Sequence, residues 1–188
     1  MKRILFYISA IIVGTLVGLT VFKSASDIAS KSHGIVNGPW TTNEAYGDKN
    51  ADPLLKSAVA VSALLALKAS ETIYFTATVD SQGKRLSDAC AYFVEGQSPD
   101  SRWSSITLYG QDHFLIPNDH DHYSVFLPEP GSDFSFVVAP ERPDEGTWLA
   151  SLGGGKLSLT LRIYNPAPIV YENLATVALP TITRGECK

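Results

Sequence analysis

From Lys156 to Tyr164 the chain alternates without a break: Leu157, Leu159, Leu161 and Ile163 are apolar, and Ser158, Thr160, Arg162 and Tyr164 stand between them. Successive side chains of a β-strand point to opposite faces, whereas a helix of period 3.6 would scatter these four apolar residues around its circumference. The stretch is therefore a strand with one dry face and one wet face. It needs strand partners on its edges and a second layer over its dry side.

Residues 103–109, Trp-Ser-Ser-Ile-Thr-Leu-Tyr, repeat the pattern. Trp103, Ser105, Thr107 and Tyr109 share one side; Ser104, Ile106 and Leu108 share the other. Residues 73–79, 114–116, 123–127 and 134–139 read as further strands between Pro-, Gly- and Asp-containing turns. Asp80-Ser81-Gln82-Gly83 reads as a turn and residues 89–95 as its return strand, which predicts a hairpin. Short strands at this spacing predict a mainly β fold, an antiparallel jelly-roll-like sandwich. One helix is expected to pack on it over residues 53–67. Asp52 is placed as its N-cap and Pro53 at its first turn, and Leu54, Ala58, Val61 and Leu65 recur at helical spacing on a face expected to lie on the sheet.

The N-terminus is different in kind. Met1-Lys2-Arg3 precedes 19 uncharged residues, 4–22. At about 1.5 Å per residue this run spans the roughly 30 Å of a bilayer's hydrocarbon. It is longer than a secretory signal core and Lys23 interrupts the Ser24-Ala25-Ser26 cleavage pattern, so an uncleaved signal anchor over residues 1–23 is favoured over a cleaved signal peptide. Lys2 and Arg3 place the start in the cytoplasm, although Lys23 and Lys31 blunt the asymmetry. The expectation is a single-pass inner-membrane protein, with residues 24–38 as a linker and residues 39–188 as a β-sandwich in the periplasm or outside. Gly14 and Gly18 form one Gly-x-x-x-Gly, a spacing that lets membrane helices approach closely and leaves homo-oligomerisation open.

A net charge of −4 with no basic cluster excludes a nucleic-acid partner. Cys90 and Cys187 match no zinc or redox spacing. Two unpaired cysteines, with Cys90 partly buried, are the expectation; a disulfide tying the C-terminal tail to the sheet is the alternative if the domain is exported.

Several of these stretches together resemble a bacterial family, the domain-of-unknown-function 1214 proteins. The matching pieces are Gly38-Pro39-Trp40, Glu71-Thr72-Ile73-Tyr74-Phe75, Asp80-Ser81-Gln82-Gly83 and residues 103–109. Asn118, Tyr123-Ser124, Trp148-Leu149 and Leu161-Arg162-Ile163-Tyr164-Asn165-Pro166 follow in the same order. The resemblance implies a β-rich, jelly-roll-like fold in exported or membrane-anchored proteins and no particular activity. His122 stands where the family commonly has Arg, and Ala150 where it often has Pro.

Trp103, Tyr109, Asn118, Tyr123, Trp148, Arg162 and Tyr164 all fall at matching positions. Aromatic rings with a guanidinium and an amide could line a cleft for a sugar or another polar ligand; as the alternative, they are core residues. His113, His120 and His122, with Asp119 and Asp121, are weak metal candidates, because no third ligand is fixed by spacing and the loop reads as a turn. Ser81-x-x-Lys84 lies in a turn and Gly153-Gly154-Gly155-Lys156 precedes a strand, so neither reads as a nucleophile or phosphate loop. No cofactor is expected. A binding module for an unknown envelope ligand is therefore expected ahead of an enzyme. The alternatives are a hydrolase using the 113–122 loop and a structural or assembly subunit.

Overall fold

The computed structural model describes residues 2–32, 34–61 and 66–188. In chain order its elements are α1 (Lys2–Ser32), β1 (Ile35–Asn37), β2 (Trp40–Thr42), α2 (Pro53–Val61), β3 (Thr72–Ala77), β4 (Cys90–Gln97) and β5 (Ser101–Tyr109). They continue with β6 (Ser124–Phe126), β7 (Asp133–Ala139), β8 (Trp148–Ala150), β9 (Ser158–Pro166), α3 (Pro168–Tyr171) and β10 (Thr181–Cys187). The strands form two sheets, ordered β1-β2-β3-β9-β5-β6 and β10-β4-β7-β8.

The two stretches with the clearest alternation are neighbours at the centre of the first sheet. β5 and β9 pair antiparallel with Trp103 opposite Tyr164, Ser105 opposite Arg162 and Ile106 opposite Leu161. Residues directly opposite share a face. The dry face therefore carries Ile73, Phe75, Ile106, Leu108, Leu159, Leu161 and Ile163, and the second sheet contributes Tyr92, Val94, Phe136, Val138, Leu149 and Ile182 to the same buried cluster. The fold is thus mainly β, with one core shared by two sheets. The second sheet is mixed rather than antiparallel, because the 140–147 connection brings the chain back beside Val137 and β8 runs parallel to the last three residues of β7.

The hairpin expected across Asp80–Gly83 is not formed. β3 has both edges occupied, by β2 and β9, and β4 lies in the other sheet between β10 and β7. Only an isolated bridge, Val79 to Arg85, survives of it. The turn itself is as expected: the Asp80 carboxylate accepts the Gln82 and Lys84 amides, and Gly83 adopts φ 79°. Residues 114–116 form no strand, and β1, β2, β8 and β10 are strands that the alternation did not announce. Each of these is short or an edge strand, so its pairing partner matters more than its own pattern.

Gly38-Pro39-Trp40 has a direct role. Gly38, at φ 58°, and Pro39 form the two-residue connection between Asn37 and Trp40, which are paired. A left-handed first position is what such a hairpin needs and what glycine supplies at little cost. The turn delivers Trp40 into the core, fully buried, where its indole N–H donates to the Pro180 carbonyl at 2.7 Å.

The helices depart further from expectation. Asp52 does cap α2, its carboxylate accepting the Leu54 amide at 2.8 Å, but α2 ends at Val61 and residues 62–65 lie outside the described residues. Ala66 to Lys68 are not helical. Within α2 only Leu55 is buried while Leu54 and Val61 are exposed, so its apolar face does not lie on the sheet as expected. α1 runs through the proposed linker as far as Ser32, since neither Gly nor Pro stands between Gly18 and Gly34 to stop it. Its span Phe6–Ala25 is long and apolar enough to cross a membrane, and its large side chains, Phe6, Ile11 and Leu19 among them, are exposed.

The expectation of two unpaired cysteines is overturned. β10 pairs β4 with Cys187 opposite Cys90, and the two form a disulfide. Beside it Arg184, on β10, donates from Nε to the Asp80 carboxylate at 2.7 Å and from Nη2 to the Arg85 carbonyl at 2.6 Å. Nη1 lies 3.3 Å from the Cys90 sulfur. Ser81 completes the joint, because its hydroxyl accepts the Ile182 amide and its own amide donates to the Ile182 carbonyl. The Asp80-Ser81-Gln82-Gly83 motif thus holds β10 in place, and Ser81 is engaged in that task.

Candidate functional site

Four of the seven candidate residues converge. On the face of the first sheet turned away from the core, β5 presents Trp103, Ser105, Thr107 and Tyr109, and β9 presents Tyr164, Arg162 and Thr160. The Trp103 and Tyr164 rings lie with centroids 4.7 Å apart at 37°. Phe126, on β6, extends the platform on the other side, 5.4 Å from Trp103. Trp103 is 42% exposed and Phe126 66%, so the platform is open to solvent.

Beside the rings lies a polar half. Arg162 donates from Nη1 to the Thr107 hydroxyl at 2.9 Å and from Nη2 to the Tyr109 hydroxyl at 2.6 Å, with its guanidinium carbon 5.6 Å from the Tyr109 ring centre. Ser105 is opposite Arg162 on one side and Tyr74, on β3, is opposite it on the other. The Tyr74 hydroxyl accepts the Leu67 amide at 3.0 Å, so the chain after α2 borders the face there. Burial pushes the Tyr164 hydroxyl pKa up, the Arg162 charge opposes this, and the neighbouring Tyr74 and Tyr109 add to the rise. Tyr164 is therefore a neutral phenol at physiological pH, able to donate as well as accept.

The other three candidates are elsewhere. Asn118 organises its own loop: its side chain donates to the Ile116 carbonyl and accepts the His120 amide at 3.0 Å. The Tyr123 hydroxyl donates to Asp121 at 3.0 Å, a bond that raises its pKa, assisted by desolvation and by the Asp121 charge. Trp148 lies on β8 in the second sheet, its indole N–H bonded to the Ala139 carbonyl and its ring 5.5 Å from His120. His113 sits at φ 66° and Asp121 at φ 49° in this segment, and no cluster of three or more His, Cys, Asp or Glu suited to a metal occurs among the described residues. An open depression of about 490 Å³ over the ends of β4 and β7 is lined by none of the seven.

Sequence reasoning did not count Phe126, Thr107, Ser105 or Tyr74 among the candidate site residues. The parity of residues 103–109 already grouped Ser105 and Thr107 with Trp103. Phe126 and Tyr74 needed the strand order, which no local pattern contains.

A family model described as a protein of unknown function, DUF1214, matches residues 71–168. That range holds all four convergent residues. Among solved structures, the VPA0106 protein from Vibrio parahaemolyticus superposes with a TM-score of 0.56 at 17% identity over 71% of this chain, which bears on the fold alone. A second, an uncharacterised protein from Burkholderia cenocepacia, is 15% identical over 61% of this chain, with a TM-score of 0.44. This chain spans only 35% of the first and 30% of the second. No curated protein matches the sequence.

Proposed function

Since the chain belongs to the DUF1214 family, whose description assigns no activity, we propose its function from its own surface: a membrane-anchored, jelly-roll-like binding module. The side of β5, β6 and β9 turned away from the core, at its exposed rings, takes a sugar-containing ligand of the cell envelope. The observation that carries this reading is the exposed platform of Trp103, Tyr164 and Phe126 beside the Arg162–Thr107–Tyr109 hydrogen-bond group. Apolar ring faces stack on the C–H faces of a sugar while hydroxyls and a guanidinium hold its oxygens, a division that a packed core has no use for.

Two features support a position outside the cytoplasm with α1 as the anchor. The exposed apolar side chains of Phe6–Ala25 suit lipid, and a disulfide persists in oxidising compartments. Protease added to intact spheroplasts should then digest the β-domain while leaving cytoplasmic markers whole; a protected domain would refute this orientation.

The ligand reading is tested with the full chain in nanodiscs against a panel of envelope polysaccharides. W103A should weaken retention about tenfold, the loss of one stacked ring at about 1.4 kcal/mol. Its thermal stability should change little, because Trp103 is part of an exposed face. Unchanged retention, or a fold that collapses without the indole, would make the cluster a packing feature only.

A further inference from the structure

We infer that Arg162 is an anion receptor, and that the ligand of this face is an acidic glycan, a sugar chain carrying well-spaced carboxylates. The inference rests on the binding role proposed above and names the chemistry that the same face selects.

A guanidinium has five N–H donors and no acceptor. Two of those of Arg162 go to neutral hydroxyls, of Thr107 and Tyr109. Among the described residues no carboxylate pairs with it; the ion pairs there are Arg184 with Asp80 and Lys188 with Glu141. Every neighbour that the strand register places beside it, Ser105, Tyr74, Thr107 and Thr160, is neutral. Among the described residues, a half-buried cation held in this way has three donors without a protein partner. The fork of a guanidinium matches the two oxygens of a carboxylate, and such charge-assisted pairs are the strong ones.

Position decides what else the ligand must have. Arg162 is opposite Ser105, two residues along β5 from Trp103, a separation of about 7 Å. A sugar ring stacked on Trp103 therefore carries a carboxylate at its edge to the guanidinium, and its hydroxyls meet Tyr164. Trp103 and Phe126 are open to solvent, whereas Ser105, Thr107, Thr160 and Tyr74 around Arg162 are buried, so a ligand reaches the guanidinium from the ring side of the face. The chain's net charge of −4 disfavours a dense polyanion such as nucleic acid. One cation among hydroxyls fits a polymer whose charges are sparse.

The probe is a hyaluronan hexasaccharide, with one carboxylate every second sugar, against its carboxyl-reduced neutral form. Both are titrated into the full chain in nanodiscs by calorimetry at low and high salt. The wild type should bind the acidic form at least tenfold more tightly, with the preference shrinking at high salt. R162Q should bring the acidic form down to the neutral one and leave the neutral one unchanged. R162K, which keeps the charge and loses the fork, should lie between, and thermal melts of both variants verify the fold. W103A should weaken both forms. Equal binding of the two forms, untouched by R162Q, overturns the acidic ligand and leaves the sugar platform standing. Binding of neither form overturns both. A concentration-dependent dimer abolished by W103A assigns the face to a second copy and overturns the inference as well.

Discussion

Replacing Cys90 and Cys187 together by alanine is expected to lower the stability of the β-domain by about 3–5 kcal/mol. The disulfide joins positions 97 residues apart, and the loop it closes in the unfolded chain contains the whole second sheet and three of the six strands of the first. Chain entropy alone values such a closure at about 4–5 kcal/mol, which is a large share of a typical domain's margin. The effect concentrates on β10. It is the edge strand of the second sheet, it brings Ile182 into the core, and it ends at the bridge. Urea denaturation of the wild type and C90A/C187A should show the loss together with a steeper denaturant slope, because the uncrosslinked chain exposes more surface. The melting temperature should fall by about 10 °C. A difference below about 1 kcal/mol would mean that β10 is held by its ladder and by Arg184 alone.

The second large effect is expected at Asp80. Its side chain is 1% exposed and that of Arg184 20%, and the carboxylate also accepts two backbone amides. Burial works against its ionisation, but the Arg184 hydrogen bond, the Lys84 and Gln82 amides and the Arg184 charge together outweigh it and hold the pKa below the ordinary 3.8. D80A leaves Arg184 without its counterion beside the disulfide and releases the turn, at a cost of about 3 kcal/mol. The pH dependence has a definite sign. Because the folded pKa lies below the unfolded one, the stabilisation is complete above the unfolded value and is lost as pH falls through the folded value. The stability gap between wild type and D80A, from urea curves at pH 7, 5 and 3, should stay level from 7 to 5 and narrow toward 3. A gap independent of pH would show that the carboxylate's charge is not what holds β10.

Both effects concern contacts that the chain's local patterns did not reveal. Asp80 was legible as the first residue of a turn because Asp-Ser-Gln-Gly is turn chemistry wherever it stands. Its partner Arg184 is 104 residues away on a strand that carries little alternation. The same holds for Cys187, whose pairing with Cys90 depends on β10 reaching the edge of β4. The predicted hairpin failed for a related reason. Adjacent strands with a good turn between them usually pair, but β3 found its partners in β2 and β9, and the chain crossed to the other sheet. Within the candidate site, Trp103 with Tyr109 and Arg162 with Tyr164 were each legible as same-face pairs on their own strands. Asn118, Tyr123 and Trp148 matched the family pattern equally well and proved to be organised around a loop and the opposite sheet.

By itself the sequence determined which residues of β5 and β9 face the core, where the Gly83 turn lies, and that residues 4–22 can span a bilayer. All of these follow from side-chain period, backbone conformation or length, which are properties of a few neighbouring residues. Only the tertiary structure decided which strands share a sheet, that Cys90 meets Cys187, and that Trp103, Tyr164, Phe126 and Arg162 form one surface. Backbone hydrogen bonds are alike in every strand, so the choice of partner is made by how the whole set of dry faces closes over one core.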